Sequence, residues 1–196
     1  MIEHSKSVRL GVKKSLMVVD MPHNTYRNSK EALKNAKQII SKTKCDAVKL
    51  EGGKKIYEII KTLVKNNIPV MGHLGLLPQS AKNFKFKGKQ NYEREKILKE
   101  AKLLETAGVF SMVLECIESS LAKNITKAIK IPTIGIGASN NCDGQILVFD
   151  DVIGLNPINV RFVKKYTNIR KDISKAVLKY AREVRSMKFP LKKHSY

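Results

Sequence analysis

Short apolar runs alternate with helix-like segments along the chain, and this alternation limits its possible folds more than any other feature. The runs at 47–51 and 111–115 are dominated by Val, Leu, Met and Ala. Between such runs, apolar residues recur every three to four positions, as at 32–40, which is the period of a helix buried on one face. Apolar strands separated by helices predict a parallel sheet with helices packed on it.

The pattern divides the chain into about six β/α units, which we assign to one domain over 1–196. The predicted strands are 16–20, 47–51, 69–74, 111–115, 132–137 and 145–149. The predicted helices begin near Ser29 and then cover 54–66, 92–107, 119–128 and 172–187, with a polar loop at 81–91. Asn28, followed three positions later by Glu31, is typical of a residue that caps the start of a helix.

Composition limits the class of protein. The 196 residues are 42% hydrophobic, which is ordinary for one domain with a substantial core. No apolar run approaches the ~20 residues needed to cross a bilayer, and the first six residues lack the apolar centre of a secretory signal. The three cysteines show neither a metal-ligand spacing nor a disulfide framework. We therefore expect a cytoplasmic protein without a membrane partner.

The net charge of +21 is the unusual feature of the composition. A surface of this charge attracts nucleic acid or anionic membrane. The basic residues are scattered among Asn, Glu and Ser, however, and the aromatic residues do not interleave with them as a base-stacking surface requires. We expect no nucleic-acid partner, and attribute the charge to solvated helix faces and to the steering of anionic substrates.

Polar residues at the ends of the predicted strands separate two architectures, a barrel and an open doubly wound sheet. Asp20, Glu51, His73 and Glu115 each lie at or near the carboxyl end of a different strand. In a barrel these ends converge on one mouth, whereas an open sheet usually has a glycine-rich phosphate turn after its first strand. No such turn follows Asp20, so the sequence favours a barrel.

Individually these residues have structural explanations, such as a turn cap for Asp20, a solvated loop for Glu51 or a satisfied core histidine for His73. Lys49 and Glu115 lie inside apolar strands, where ionised groups are rare unless they are paired or bound to a metal. Together, the carboxylates offer oxygen ligands for Mg²⁺, and the lysine offers a site for an anion. The residues therefore indicate a metal-assisted reaction on a small carboxylate, with proton abstraction next to a carbonyl.

Six motifs resemble, in the same order and with similar spacing, those of the ketopantoate hydroxymethyltransferase family. They are Val18-Val19-Asp20-Met21-Pro22, Val48-Lys49-Leu50-Glu51-Gly52-Gly53, Gly72-His73-Leu74-Gly75-Leu76-Leu77-Pro78-Gln79-Ser80, Val113-Leu114-Glu115-Cys116, Ile134-Gly135-Ile136-Gly137-Ala138 and Asp143-Gly144-Gln145-Ile146-Leu147-Val148. The resemblance runs from about Met1 to the last helix. It implies a TIM-type (β/α)8 barrel of the phosphoenolpyruvate-utilising type.

The resemblance also implies a reaction: transfer of a hydroxymethyl group from 5,10-methylenetetrahydrofolate to 3-methyl-2-oxobutanoate, which gives 2-dehydropantoate for pantothenate synthesis. By position, Asp20 resembles a Mg²⁺ ligand that also faces the substrate, and Glu51 resembles a second carboxylate that supports the metal. Lys49 resembles the residue that holds the keto-acid carboxylate, His73 a group near the substrate, and Glu115 the general base that removes the C3 proton. Family members form homo-oligomers, so we expect one here if the barrel is completed.

The chain departs from this family at its beginning. Relatives carry two further β/α units, including a Val-Gly-Asp-Ser motif, before the strand that ends in Asp20, and 1–14 resembles the helix before that strand. We therefore expect an incomplete barrel with weak activity or none and a tendency to aggregate. A misassigned start, a degraded gene and a partner that supplies the missing strands are the three explanations.

Two other functions remain open from the residues alone. Another Mg²⁺-dependent enolate enzyme of the same superfamily, such as a lyase or mutase, would be expected to carry a cysteine in the mid-chain loop, and 82–91 contains none. A basic module that binds nucleic acid would explain the charge but not the ionised residues within the strands.

Overall fold

The chain forms two units, Met1–Ile146 and Leu147–Tyr196, which are described separately. The computed structural model describes residues 1–81, 83 and 85–196. Lys82 and Phe84, in the predicted loop 81–91, lie outside the described residues. These units are defined by their internal contacts, whereas a domain is defined by cooperative folding. The assignment of 1–196 to a single domain therefore stays a prediction.

The first unit contains a sheet of six parallel strands. These are β1 (Val18–Asp20), β2 (Ala47–Glu51), β3 (Val70–Gly75), β4 (Ser111–Glu115), β5 (Thr133–Ile136) and β6 (Gly144–Gln145). They lie side by side in chain order, whereas the strand order of a doubly wound sheet reverses at a switch point. In the part of the chain that the structure describes, β1 and β6 each pair with one neighbour. The prediction of an incomplete β/α barrel is confirmed.

Five helices accompany these strands in the first unit. They are α1 (Ile2–Gly11), α2 (Ser29–Thr43), α3 (Tyr57–Lys65), which follows a 3₁₀ turn at Lys54–Ile56, α4 (Asn91–Thr106) and α5 (Ser119–Ala128). The start of α2 is capped as predicted, because the side-chain oxygen of Asn28 accepts a hydrogen bond of 2.9 Å from the backbone N–H of Glu31. This contact satisfies one of the backbone donors that a helix leaves unpaired at its beginning.

The two faces of the sheet differ in burial, since successive side chains of a strand point to opposite sides. Val48, Leu50, Met112 and Leu114 are fully buried and belong to the core that the helices complete. Most of the positions that alternate with them are less buried, and these include charged residues, such as Lys49 in β2. The apolar face therefore builds the core, and the other face is free to carry polar groups.

The second unit is helical. It contains α6 (Phe149–Val152), α7 (Ile169–Arg185) and a 3₁₀ turn at Lys192–His194. The predicted strand 145–149 is wrong in its extent, because β6 ends at Gln145 and Phe149 begins α6. The carbonyl of Val148 accepts hydrogen bonds from the N–H groups of Asp151 and Val152, so the backbone turns into a helix where a strand was expected. Among the described residues, no helix has the length and apolar character to span a membrane.

Candidate active site

The five residues selected from the sequence lie on one face of the sheet. Asp20, Glu51 and Glu115 are the last residues of β1, β2 and β4. The strand register pairs Asp20 with Lys49 and Glu51 with His73, and side chains at paired positions point to the same side. Consecutive parallel strands therefore place residues up to 95 positions apart in sequence around one point.

The side chains of these residues contact one another. Lys49 Nζ lies 2.7 Å from Asp20 Oδ1 and 3.0 Å from His73 Nδ1. On the other side of the imidazole ring, His73 Nε2 lies 3.3 Å from Glu115 Oε2, and His73 Nδ1 is 3.9 Å from Glu51 Oε1. The structure thus brings all five residues into one group, which we call the strand-end cluster.

The strand-end cluster is largely withdrawn from water and holds more acidic than basic groups. Glu51 and His73 are buried, and the Lys49 side chain is 16% exposed. Burial is the largest influence on Glu51 and raises the pKa of its carboxyl, and the charge of Asp20 acts in the same direction. His73, the backbone N–H of Gln79 and Lys49 oppose this rise. Glu51 is therefore a carboxylate that depends on its neighbours to remain charged.

Two residues that sequence reasoning missed hold Glu51 in place. The backbone N–H of Gln79 donates to Glu51 Oε2 at 3.1 Å, and the Gln79 side chain donates to the carbonyl of Met21 at 3.3 Å. The Tyr26 hydroxyl donates to the backbone carbonyl of Glu51 at 3.5 Å, and burial raises the pKa of that hydroxyl. Gln79 lies in the third family-like motif, which was the available signal; no pattern marked Tyr26.

Two residues next to Glu115, one in the neighbouring strand and one in the chain, have positive φ angles. Gly75, at the end of β3, has a φ of 98°, and a side chain there would collide with the carbonyl of Glu115. The next residue after Glu115, Cys116, has a φ of 47°, which is uncommon for a residue with a side chain. Burial, followed by the charge of Glu115, raises the pKa of the Cys116 thiol to about 11. A thiol with this pKa stays protonated and is unsuited to act as a nucleophile.

The donor set of the strand-end cluster fits a magnesium ion held partly by the protein. Asp20 Oδ1 is buried and makes no hydrogen bond of acceptable geometry, although Lys49 Nζ lies close to it. Within the described residues, no group of three or more His, Cys, Asp or Glu side chains has a geometry suited to a metal. Mg²⁺ usually keeps several waters and binds through one or two carboxylates plus substrate oxygens. Asp20 and Glu51 can supply those carboxylates.

The fold defines the class of protein, a β/α barrel that is incomplete in this chain, and the strand-end cluster lies at the carboxyl ends of its strands, where enzymes of this class carry their sites. The family profile described as ketopantoate hydroxymethyltransferase matches residues 1–192. The chain belongs to the ketopantoate hydroxymethyltransferase family. It is therefore a transferase by family, and the alternatives of a lyase, a mutase or a non-catalytic module are not supported.

Individual relatives agree with this membership. A protein of Pelagibacter ubique named 3-methyl-2-oxobutanoate hydroxymethyltransferase is 75% identical over 196 residues, which are all of this chain and 76% of the relative. A protein of Rhizobium etli with the same name is 48% identical over 201 residues, covering all of this chain and 74% of the relative.

A solved structure supports the fold. The crystal structure of a phosphonopyruvate hydrolase superposes with a TM-score of 0.55 at 12% identity, covering 98% of this chain and 70% of the hydrolase. At this identity the likeness concerns the fold alone.

Proposed function

We propose that this chain carries the site that transfers a hydroxymethyl group from 5,10-methylenetetrahydrofolate to 3-methyl-2-oxobutanoate, forming 2-dehydropantoate. The observation that supports this most is the strand-end cluster itself. Three carboxylates, one ammonium group and one imidazole lie together on one face of the sheet, and neighbouring polar atoms are 2.7–3.9 Å apart. Such an arrangement suits a small keto acid, because one end of that molecule needs a cation and the other needs a base.

Lys49 is the group proposed to hold the substrate carboxylate. Its ammonium lies in contact with Asp20 and His73, so its position is set before a substrate arrives. A partly desolvated ammonium forms a strong, charge-assisted hydrogen bond with a carboxylate. Asp20 and Glu51 are proposed to hold Mg²⁺, and bound Mg²⁺ would stabilise negative charge that develops on the keto oxygen.

Glu115 is proposed as the general base. It would accept the proton from C3 of the keto acid, so that the C–H electron pair forms the C2–C3 double bond of an enolate. The enolate carbon then forms a bond with the methylene carbon as that carbon is released from the folate: both of its carbon–nitrogen bonds break, the two nitrogens take up the protons of a water molecule, and the water oxygen becomes the hydroxyl oxygen of the product. Glu115 lies at the end of β4 within the strand-end cluster, and its side chain is only 13% exposed; its limited access to water supports this role.

Complete turnover by the 196-residue chain is expected to be weak. Within the described residues, β1 and β6 each leave one edge of the sheet unpaired, and open edges favour association with other chains. Removal of the C3 proton requires fewer groups than the whole transfer, because it needs the keto acid and the base but no folate. Proton exchange is therefore the more direct test.

The test follows exchange of the C3 proton of 3-methyl-2-oxobutanoate for deuterium in D₂O, measured by proton NMR with Mg²⁺ present. Glu115→Gln is expected to lower the exchange rate by roughly 10²–10⁴-fold, the usual contribution of a general base. Binding of the keto acid, followed by calorimetry, should change little, because Gln has nearly the shape of Glu.

Glu95→Gln is the matched control, since Glu95 is an exposed residue of α4 that pairs with Lys99. It should leave exchange unchanged. If Glu115→Gln exchanges the proton at the wild-type rate, Glu115 is not the base.

A further inference from the structure

The chain leaves β4 in an unusual backbone conformation directly after Glu115. Cys116 has a φ of 47°, which a residue with a side chain rarely adopts. Such a conformation persists only where the surrounding structure holds it. The position of Glu115 therefore depends in part on the contacts that hold the segment 116–118.

Segment 116–118 is held by backbone hydrogen bonds on both sides. On one side, the N–H of Cys116 donates to the carbonyl of Ile136, the last residue of β5, at 2.8 Å. On the other side, the N–H of Lys87 donates to the carbonyl of Cys116 at 2.7 Å, and the N–H of Glu118 donates to the carbonyl of Lys87 at 2.8 Å. Lys87 lies in the loop between β3 and α4, so this loop supports the segment.

Two side chains at the beginning of α4 bind the next residue of this loop, Gly88, by both of its backbone groups. The N–H of Gly88 donates to Glu93 Oε2 at 2.7 Å, and Arg94 Nη1 donates to the carbonyl of Gly88 at 3.1 Å. Gly88 is buried. The loop is therefore fixed to α4 directly beside the residue that pairs with 116–118.

The guanidinium of Arg94 also reaches the chain beyond Glu115. Nη1 donates to Glu118 Oε2 at 2.6 Å, and Nη2 donates to the hydroxyl of Ser120 at 2.7 Å. The Arg94 side chain is 25% exposed, so water has limited access to these hydrogen bonds. One side chain thus joins the loop, the segment after the proposed base and the beginning of α5. We call Gly88, Arg94, Glu118 and Ser120 the Arg94 clamp.

We propose that the Arg94 clamp positions the carboxylate of Glu115 for removal of the C3 proton. The hydrogen bonds of Arg94 go to the other members of the clamp and not to Glu115. Arg94 is therefore a positioning residue that acts through the backbone of 116–118. Misplacement of a reacting group by about 1 Å can lower a rate by roughly 10²-fold. The inference rests on the proposed function of Glu115 as the base.

This role requires the shape of arginine as well as its charge. A guanidinium carries five N–H donors in a fixed plane, and here it donates to acceptors in three different parts of the chain. A lysine ammonium is a compact point charge that does not reproduce this planar arrangement. Arg94→Lys therefore keeps the charge but not the simultaneous contacts, and Arg94→Gln loses the charge as well.

C3 proton exchange, measured at a series of keto-acid concentrations with Mg²⁺ present, tests the effect on the reaction. Arg94→Gln is expected to lower the maximal rate about tenfold and to leave the half-saturating concentration unchanged, because the clamp does not include Lys49. Arg94→Lys should recover only a small part of the loss. Calorimetry of keto-acid binding gives the number of folded sites, and each rate is expressed per site. Lys99→Gln is the matched control, since Lys99 is an exposed basic residue of α4 that pairs with Glu95.

Amide hydrogen exchange, measured by NMR, tests the clamp without any substrate. In Arg94→Gln the amides of Lys87 and Glu118 should exchange at least about tenfold faster, because local opening of the segment becomes easier. The amide of Met112, in β4, donates to the carbonyl of Pro132 at 3.0 Å and should keep its rate. This local pattern distinguishes a clamp from a general loss of stability.

The outcomes separate this inference from the proposed function. A maximal C3 exchange rate per site in Arg94→Gln equal to that of the unmodified chain, or full recovery in Arg94→Lys, would overturn the inference. Equal acceleration of amide exchange at Met112 would also overturn it, because the effect would then be global. If Arg94→Gln does not fold, Arg94→Lys provides the same test. Absence of C3 exchange in the unmodified chain would count against the proposed function, whereas the amides of Lys87 and Glu118 would still confirm or refute the clamp.

Discussion

The two units of the molecule contain amphipathic helices of similar pattern but bury them to very different degrees. In α5 of the first unit, Leu121 and Ile125 are buried against the core. In α7 of the second unit, whose residues are all described, Val177 and Leu178 are both more than half exposed. The comparison teaches that a helical period of apolar residues predicts a helix but does not establish what covers its apolar face.

The difference has its origin in the sheet. Parallel strands give the first unit an apolar surface against which helices bury whole side chains. Within the second unit, all of it described, the one buried residue is Gly154. We therefore expect its helices to contribute less to the free energy of unfolding than those of the first unit, and the following predictions test this, beginning with the largest effect.

Replacing a leucine by alanine should separate the units most clearly. Leu114, in β4, is 0% exposed, and Leu178, in α7, is 64% exposed. Leu114→Ala is expected to lower the free energy of unfolding by about 2–5 kcal/mol, because it removes buried contacts and leaves a cavity. Leu178→Ala should change it by less than ~0.5 kcal/mol. Urea unfolding followed by circular dichroism measures both, and a cost for Leu178→Ala near that of Leu114→Ala would show that α7 is covered.

A smaller effect is expected from the two asparagine caps. The side chain of Asn28 accepts a hydrogen bond from the N–H of Glu31 at the start of α2, and that of Asn168 accepts one from the N–H of Lys171 at the start of α7. Asn28→Ala should cost about 0.5–2 kcal/mol of global stability. Asn168→Ala should instead speed amide hydrogen exchange in the first turn of α7 without changing the unfolding midpoint. A shift of that midpoint by Asn168→Ala would contradict the comparison.

The smallest effect concerns a carboxylate on the surface of the first unit. Glu118 accepts hydrogen bonds from the Ser120 hydroxyl and from Arg94, which lower the pKa of its carboxyl from 4.5 to about 2. Because the pKa is lower in the folded chain, this stabilisation is present above pH 4.5 and is lost as the pH falls towards about 2.

Thermal unfolding between these pH values measures the loss. The effect should be modest, since the Glu118 side chain is 32% exposed and water and salt screen it. In Glu118→Gln this part of the pH dependence should disappear. An unchanged slope of the unfolding midpoint against pH in that variant would mean that other carboxylates account for it.

Much of the fold could be predicted because local pattern and tertiary packing agree in the first unit. The bounds of β2, β4 and α5 match the predicted 47–51, 111–115 and 119–128, where apolar runs and helical periods are bounded by Gly or polar residues. The prediction failed at 145–149, where apolar residues of a strand-like run instead begin α6. A short apolar run does not distinguish a strand from a helical turn, since both can bury it.

Some residues of the candidate site could likewise be predicted from the sequence, and others could not. Asp20, Lys49, Glu51, His73 and Glu115 could be selected because ionisable residues in apolar strands need a partner. Gln79 and Tyr26 could not be assigned to Glu51. Gln79 donates to the Glu51 carboxylate through its backbone N–H, and the Tyr26 hydroxyl donates to the backbone carbonyl of Glu51, so both contacts involve a backbone group and depend on where loops run.

The sequence by itself determined which segments are strands and helices, which strand residues carry charge, and to which family the motifs are similar, because all of these depend on residue type and spacing along the chain. The tertiary structure alone decided which groups touch: Lys49 faces Nδ1 of His73 while Glu115 faces Nε2. It also decided how far the apolar residues of each helix are buried, as in α5 where Leu121 and Ile125 belong to the core. Distances between side chains arise from strand register and packing, and these bring together residues that no local pattern connects.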